Sequence, residues 1–207
     1  MKRKKNNSAA NEKRRHILKA AIKVFSEKGF HRCRISDIAT EANVAYGLVY
    51  HYFENKEEIL NSIFDENWGM LTKVVETVDE QSELSLEQKL SAIVEFLLGA
   101  YRLVPDIIQV VVMEISRSSK FLKKPKVDAF EKAFQRLADI LERHQKSGEV
   151  RKDLDPKVMA YMFFGSLELV LTGYLLGTLP PSEGEAFEKE KKVIANMCYA
   201  SLLSPAA

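Results

Sequence analysis

The stretch Ile35–Lys56, ISDIATEANVAYGLVYHYFENK, constrains this chain more than any other. Its apolar residues fall at Ile38, Ala42, Val44, Val49 and Tyr52, a spacing that makes two short helices joined by a tight turn. Ile38 and Ala42 turn inward from the first helix, Val44 plugs the turn, and Val49 and Tyr52 anchor the second helix. Ala39 is small where the helices cross. Asn43 stands at the turn, where the backbone needs a positive φ and Asn is the best substitute for Gly. The outward face of the second helix then carries Ala45, Tyr46, Gly47, Tyr50 and His51, with Lys56 just beyond it. Small, hydroxyl-bearing and hydrogen-bonding groups that begin at a helix N-terminus suit a phosphate backbone and a major groove.

Gly29-Phe30, Ile38-Ala39, Ala42-Asn43-Val44, Gly47 to Tyr50, Phe53 and Lys56-Glu57-Glu58 together resemble the signature of the tetracycline-repressor (TetR) family of bacterial regulators. The resemblance runs from Ile17 to Leu60 and is specific, because several positions agree independently in spacing. The family usually has Thr at the place of Arg34 and Gly at that of Asn43. The first exchange bears on the cap of the second helix, and the second keeps the turn geometry while adding polarity. The resemblance implies a DNA-facing set of Arg34, Ser36, Ala45, Tyr46, Gly47, Tyr50, His51, Tyr52 and Lys56, with Lys56 holding a phosphate. It also implies repression of transcription, relieved when a small molecule occupies the rest of the chain. Past the region of Met70 the family shares architecture rather than motifs.

Charge agrees with a nucleic-acid partner. Residues 1–56 hold 13 Lys and Arg against 5 Asp and Glu, a net +8, whereas residues 57–207 hold 18 against 24, a net −6. A basic head on an acidic body is the electrostatic footprint of a DNA binder with a separate second function. The plainer reading is a soluble protein with a basic tail, Lys2-Arg3-Lys4-Lys5, yet removing that run still leaves the head at +4. Cys33 and Cys198 lie far apart and form no metal-spaced cluster, so a reducing cytoplasm and no disulfide framework, metal or cofactor are expected. The charged N-terminus has no apolar run behind it and does not read as a secretory signal.

Periodicity predicts an all-α chain of nine helices, three in a DNA-binding head (residues 1–56) and six in a ligand-binding and dimerisation body (57–207). Residues 1–11 read as a basic tail, disordered until it meets DNA. A first helix runs from Glu12 to a C-terminal stop at Gly29, with Phe30 packing back on it. Asn55 caps a helix whose apolar residues run from Ile59 to Val78, with Glu57 and Glu58 in its first turn. Ser85 caps Leu86–Val104, and Pro105 opens a helix to Ser119. Lys126–Lys146, Lys157–Leu179 and Glu185–Leu203 complete the set. No strand period or internal repeat stands out.

Val158–Leu179 is 22 residues of nearly continuous apolar sequence, long enough to span a bilayer. A tail-anchored or helical interaction protein without a DNA role is therefore the rival reading. Glu168 stands against it, since an acid mid-membrane costs about 2.5–3.5 kcal/mol. A buried helix of a soluble protein, covered on one side by the body and on another by a second copy, is favoured, with no membrane partner. Gly165, Leu169, Gly173 and Gly177 share a stripe at i, i+4 spacing and, with Val193 and Met197 of the last helix, form the expected seam of a homodimer. Two heads related by symmetry would read a palindromic operator, where one short recognition helix is too little.

The body's aromatic and Met residues are core more often than pocket. Trp68, Tyr101, Met113, Phe130, Phe134 and Phe163 are the candidate walls of an effector pocket. Arg117 is the candidate for an anionic end. Glu168, with no local partner, is the candidate for a buried polar contact, at the pocket or at a dimer seam. A fatty acyl thioester suits Arg117 with apolar walls, and a lipophilic cation suits Glu168 with aromatic ones. Aliphatic content favours the former. An enzyme is not expected, since G-x-S-x-G, H-E-x-x-H, C-x-x-C and glycine-rich phosphate loops are all missing from the sequence.

Overall fold

The computed structural model describes residues 2–114 and 124–203, with the side chains of 10–113 and 131–203. Its helices are α1 (Lys2–Lys28), α2 (Ile35–Glu41), α3 (Tyr46–Tyr52), α4 (Lys56–Glu80), α5 (Leu86–Leu103), α6 (Pro105–Gln109), α7 (Lys124–Ser147), α8 (Pro156–Leu176) and α9 (Gly184–Leu202). A π-helical turn, Val110–Glu114, continues α6. Among the described residues the β-structure is a single antiparallel bridge between Val150 and Leu203.

Local chemistry sets most of these ends. Gly29 adopts φ 76° and donates its N–H to Phe25 O at 2.9 Å, while the Phe30 ring packs edge-on to Phe25 at 5.4 Å. Asn55 Oδ1 accepts the Glu58 N–H at 2.8 Å. Ser85 and Gln88 exchange side-chain and backbone hydrogen bonds in a full capping box. Asp155 Oδ1 accepts the Lys157 N–H at 2.7 Å, with Pro156 at the first helical position.

Three expectations about the elements need correction. The first helix begins at Lys2 rather than Glu12. Residues 1–11, read as a tail, are rich in Lys, Arg and Ala, which propagate a helix already fixed by the buried Ile17–Phe25 turns. The helix opened by Pro105 gives way at Val110 to a π turn, and the expected continuation to Ser119 lies outside the described residues. Finally, α8 stops at Leu176 because Gly177 takes a left-handed φ of 68°. Gly173 O then accepts N–H groups from Thr178 and Leu179, both at 3.1 Å.

The chain forms two compact units, Met1–Asn67 with Asp106–Ser118, and Trp68–Pro105 with Ser119–Ala207. The expected division after Lys56 therefore shifts. Ile59, Leu60, Ile63 and Phe64 of α4 are buried, and with Ile17, Phe25, Ile38, Val49 and Phe53 they make the core of the first unit. The segment after Pro105 joins it too: Ser26 Oγ donates to Asp106 Oδ1 at 3.0 Å, and Gln109 Nε2 donates to Ser26 O at 2.9 Å.

In the second unit α8 packs on α7 and α5, and α9 packs on α5. Leu90, Ile93, Leu98, Leu137, Leu141 and Leu167 fill the space between them. Two buried ammonium groups are both compensated. Lys89 reaches Asp79 O at 3.0 Å, and Lys191 lies between Glu95 and Glu188. Helix α8 is apolar and long enough to cross a membrane, yet eight of its residues are buried inside this unit.

Candidate functional site

The helix-turn-helix is as the sequence predicts. Ile38, Ala39, Ala42 and Val49 are buried at the crossing of α2 and α3, with Val44 and Tyr52 half-buried beside them. Asn43 adopts φ 49°, the one positive φ among the described non-glycine residues, and Val44 donates its N–H to Ala39 O at 3.0 Å to close the turn. This geometry leaves Ala45, Tyr46, Gly47, Tyr50 and His51 exposed together on one face of α3. Arg34 and Ser36 are exposed at the start of α2.

Two features of that face were not read from the sequence. The Tyr46 and Tyr50 hydroxyls lie 3.2 Å apart, with their rings edge-to-face at 5.2 Å. One hydroxyl must donate to the other, so the pair presents a single outward donor, and the shared hydrogen bond raises the Tyr50 pKa. Their i, i+4 spacing was the available signal. The second feature is Gly47, where an added Cβ would meet nothing within 4 Å. The protein's own packing gives no reason for the missing side chain.

Lys56 has partners within its own protein. Its ammonium donates to Phe30 O at 2.5 Å and Cys33 O at 2.9 Å, lies 3.4 Å from His31 O, and sits 4.4 Å from the Phe30 ring centroid. An ammonium has three protons, and three carbonyls of the α1–α2 loop take them. Lys56 therefore holds that loop in place. At the start of α2, Arg34 brings no side-chain cap, and Asp37 supplies one by accepting the Arg34 N–H at 2.8 Å. That bond, followed by the Lys28 ion pair at 2.9 Å, holds the Asp37 carboxyl below the usual carboxylate range. His16 Nε2 lies 2.8 Å from Ala42 O.

The expected effector residues converge only in part. Phe134 contacts Trp68 at 5.9 Å, Tyr161 at 4.4 Å and Phe164 at 4.6 Å, and Phe164 meets Phe163 at 5.4 Å. So Trp68, Phe134 and Phe163 belong to one aromatic cluster, which Tyr161 and Phe164 complete. Tyr101 is elsewhere, tilted against Tyr174 at 5.2 Å between ring centroids, and the Tyr174 hydroxyl donates to Glu190. Met113 lines a hollow of about 400 Å³ in the first unit, with Phe25, Phe30 and Val110. Arg117 and the Phe130 side chain lie outside the described residues. Glu168, expected to be buried, is exposed on α8, because its register places it at the edge of the solvent face.

The seam also changes membership. Gly165 and Leu169 are exposed on α8, and Val193 and Met197 on α9. Gly173 is buried instead: a Cβ there would lie 2.5 Å from Leu179 Cδ1. Gly177 is the C-cap of α8. Small residues at i, i+4 suggested a stripe, but the exposed stripe is built from the large residues Val158, Met162, Leu169 and Leu176. Beside it, Met159, Met162, Phe163, Val170, Ile194 and Met197 line a groove of about 350 Å³ between α8 and α9.

Comparison with known proteins agrees with this geometry. Residues 17–63 match the family of bacterial regulatory proteins named after tetR, and residues 87–171 match the tetracyclin repressor-like C-terminal domain. The fatty acid metabolism regulator protein of Bacillus subtilis (strain 168) is 31% identical over 165 residues, covering 77% of this chain and 82% of its own. The HTH-type transcriptional repressor DhaR of Mycobacterium sp. (strain GP1) is 25% identical over 157 residues, covering 74% and 77%. Among solved structures, the fatty acid degradation regulator FadR from Bacillus halodurans superposes with a TM-score of 0.80 at 25% identity, covering 92% of this chain and 96% of that one. The transcriptional regulator FadR from Bacillus subtilis, in complex with stearoyl-CoA, gives 0.75 at 26% identity, covering 93% and 98%. The chain belongs to the TetR family of bacterial transcriptional regulators, with a helix-turn-helix head and an all-α body.

Proposed function

We propose that this chain is a cytoplasmic repressor that binds a palindromic DNA operator as a two-fold dimer and is released by a long-chain acyl thioester. The observation that carries the DNA part is the exposed face of α3, where Ala45, Tyr46, Gly47, Tyr50 and His51 stand together on a turn set by Asn43. Arg34 and Ser36 flank it from α2, and Tyr52 shores it up from within. A head with one seven-residue recognition helix is too small for a specific site, which supports a paired reading by two heads. The exposed apolar stripe of α8 and α9 supplies the surface that would pair them.

The acyl thioester is supported by the likeness to the Bacillus subtilis FadR structure with stearoyl-CoA. It is supported too by the aromatic cluster of Trp68, Phe134 and Phe163, which offers apolar walls. The lipophilic cation is less well supported, because Glu168 is exposed on α8 in the single chain and not turned into the aromatic cluster. The tail-anchored alternative is set aside, since one face of α8, eight of its residues, is packed inside its unit. Release requires the thioester to bind the DNA-incompetent state more tightly, and a tenfold loss of DNA affinity corresponds to about 1.4 kcal/mol of coupling.

Trp68 is the only tryptophan, so it reports directly on the cluster. Stearoyl-CoA should change its fluorescence and, over the same concentrations, release the chain from a duplex selected by it from a random library. A selected duplex that stays bound while the thioester saturates Trp68 would remove the effector part of the reading. Failure to select any duplex would remove the DNA part.

A further inference from the structure

We propose that the hollow between the end of α1 and the π turn after α6 binds a small amphipathic monoanion, an apolar body with a carboxylate head. The hollow lies within the first unit and shares no residue with the aromatic cluster of Trp68. It does not rest on the acyl thioester reading.

The hollow measures about 400 Å³, within the usual range for ligand sites. Its apolar wall is made of Phe25, Phe30 and Val110, all buried, with the half-buried Met113. Gly29, at φ 76°, ends α1 so that Phe30 packs back on Phe25, and His31 and Arg32 then follow along the rim. Across from them the chain leaves α6 for a π turn, a feature that recurs at functional sites. That wider turn brings Val110 and Met113 to the same hollow as Gln109. Ser26 ties the two sides together. Its carbonyl accepts from Gln109 Nε2 at 2.9 Å, and its hydroxyl donates to Asp106 at 3.0 Å.

Charge decides the head group. Arg32 is exposed at the rim and makes no ion pair among the described residues. His31 stands next to it, its ring edge-on to Phe30 at 5.4 Å. A guanidinium fork takes a carboxylate through two parallel N–H groups, and an imidazole N–H can add a third. Lys28 also lines the hollow, but its ammonium is paired with Asp37 at 2.9 Å.

Glu27 is the one acid of the lining, so a cationic ligand is the competing reading. A cation would also seek the carbonyls at the end of α1, the side of a helix that favours positive charge. Those carbonyls already have donors. The Gly29 N–H holds Phe25 O, Gln109 holds Ser26 O, and Lys56 holds Phe30, His31 and Cys33. An anion meets no such competition at Arg32. One guanidinium balances one charge, so a monocarboxylate fits better than a ligand carrying several phosphates.

The test uses the full chain, labelled at its methionine methyl groups, with octanoate as the probe. Met113 reports on the hollow, whereas Met159, Met162 and Met197 report on the groove between α8 and α9. Octanoate should shift the Met113 methyl signal at concentrations that leave the other three in place. Octylammonium, of equal length and opposite charge, should leave Met113 unmoved. Arg32→Gln should weaken the octanoate response of Met113 by about tenfold or more, as the loss of a charge-assisted pair. Because Arg32 is exposed, the variant should melt like wild type. Stearoyl-CoA should act on Trp68 fluorescence alike in both proteins, which keeps failure of this site distinguishable from failure of the effector reading. A Met113 signal that ignores octanoate overturns the proposal, as does a shift that reaches Met159, Met162 and Met197 first. So does an equal response to octylammonium, or an Arg32→Gln variant that binds octanoate as tightly as wild type.

Discussion

The Lys56 ammonium lies 2.5 Å from Phe30 O and 4.4 Å from the centroid of the Phe30 ring, bonding one residue by its backbone and its aromatic face together. Chain separation makes this contact a clamp, because it ties the start of α4 to the loop between α1 and α2. Lys56→Ala would leave the Phe30 and Cys33 carbonyls without their donor, at a cost of about 1–3 kcal/mol. Lys56→Arg should not restore it, since a planar fork cannot direct three protons into one pocket of carbonyls. Denaturant melts of the three proteins decide. If Lys56 held a phosphate instead, the Ala variant would melt like wild type and its salt slope would fall by about one unit.

Gly47 separates stability from function more sharply. It occupies the first turn of α3, and an added Cβ meets nothing within 4 Å. Gly47→Ala should therefore leave the head as stable or raise its stability, by up to about 1 kcal/mol from helix propensity. If the site is kept small for a close approach by DNA, the same change should weaken selected-duplex binding at least tenfold. Equal affinity in the Ala variant would show that the space is merely unused.

The head was far more legible than the body, and particular residues show why. Asn43, Gly29, Asn55 and Ser85 act through their own local backbone, so their roles follow from a few neighbouring residues. The exposed face of α3 follows from the same short-range periodicity. The loop contacts of Lys56 were hidden because its partners, Phe30 and Cys33, are 26 and 23 residues away and no local rule links them. The surroundings of Gly173 were hidden for a related reason. Its spacing from Gly165 and Gly177 suggested a packing stripe, whereas its neighbour is Leu179, brought back by the turn at Gly177. The aromatic cluster drew Trp68, Phe134 and Phe163 together but left Tyr101 and Met113 elsewhere, since composition names apolar residues without saying which of them meet.

Cys33 gives a pH prediction. Burial pushes its thiol up to about 11, and the nearby Lys56 charge only partly opposes this. The native state thus holds the proton more tightly than the unfolded chain, whose thiol titrates near 9. A raised pKa contributes stability that is fully present below pH 9 and is lost as pH rises toward 11, at about 1.4 kcal/mol per pH unit. Replacing Cys33 with Ala should flatten that decline, as read by denaturant midpoints between pH 8 and pH 11. In the native protein at neutral pH the thiol should resist alkylation until the head unfolds. An equally steep decline in the Ala variant would assign the alkaline loss to other groups.

The proposed seam of α8 and α9 supplies the last prediction. Leu169 and Met197 are 71% and 68% exposed in the single chain, and Val158, Met162, Leu176 and Val193 are exposed beside them. Stripping water from this stripe is the obvious driving force for association, at about 25 cal/mol per Å² of apolar surface. A charge placed at its centre must be desolvated when the copies meet, as must its symmetry mate in a two-fold interface. Leu169→Glu should therefore yield monomers at micromolar concentration in sedimentation, with selected-duplex binding lost alongside. Because Leu169 buries little within its own chain, the monomer should keep its helicity, and its melting point should stop depending on concentration. Gly173 makes the contrast. Gly173→Ala forces Leu179 aside from a Cβ contact of 2.5 Å, so it should lower stability by about 1–3 kcal/mol without splitting the dimer. Adding Leu179→Ala should recover part of that loss by removing the obstructing side chain. Dissociation by Gly173→Ala, with Leu169→Glu still dimeric, would place the seam on a different face of α8.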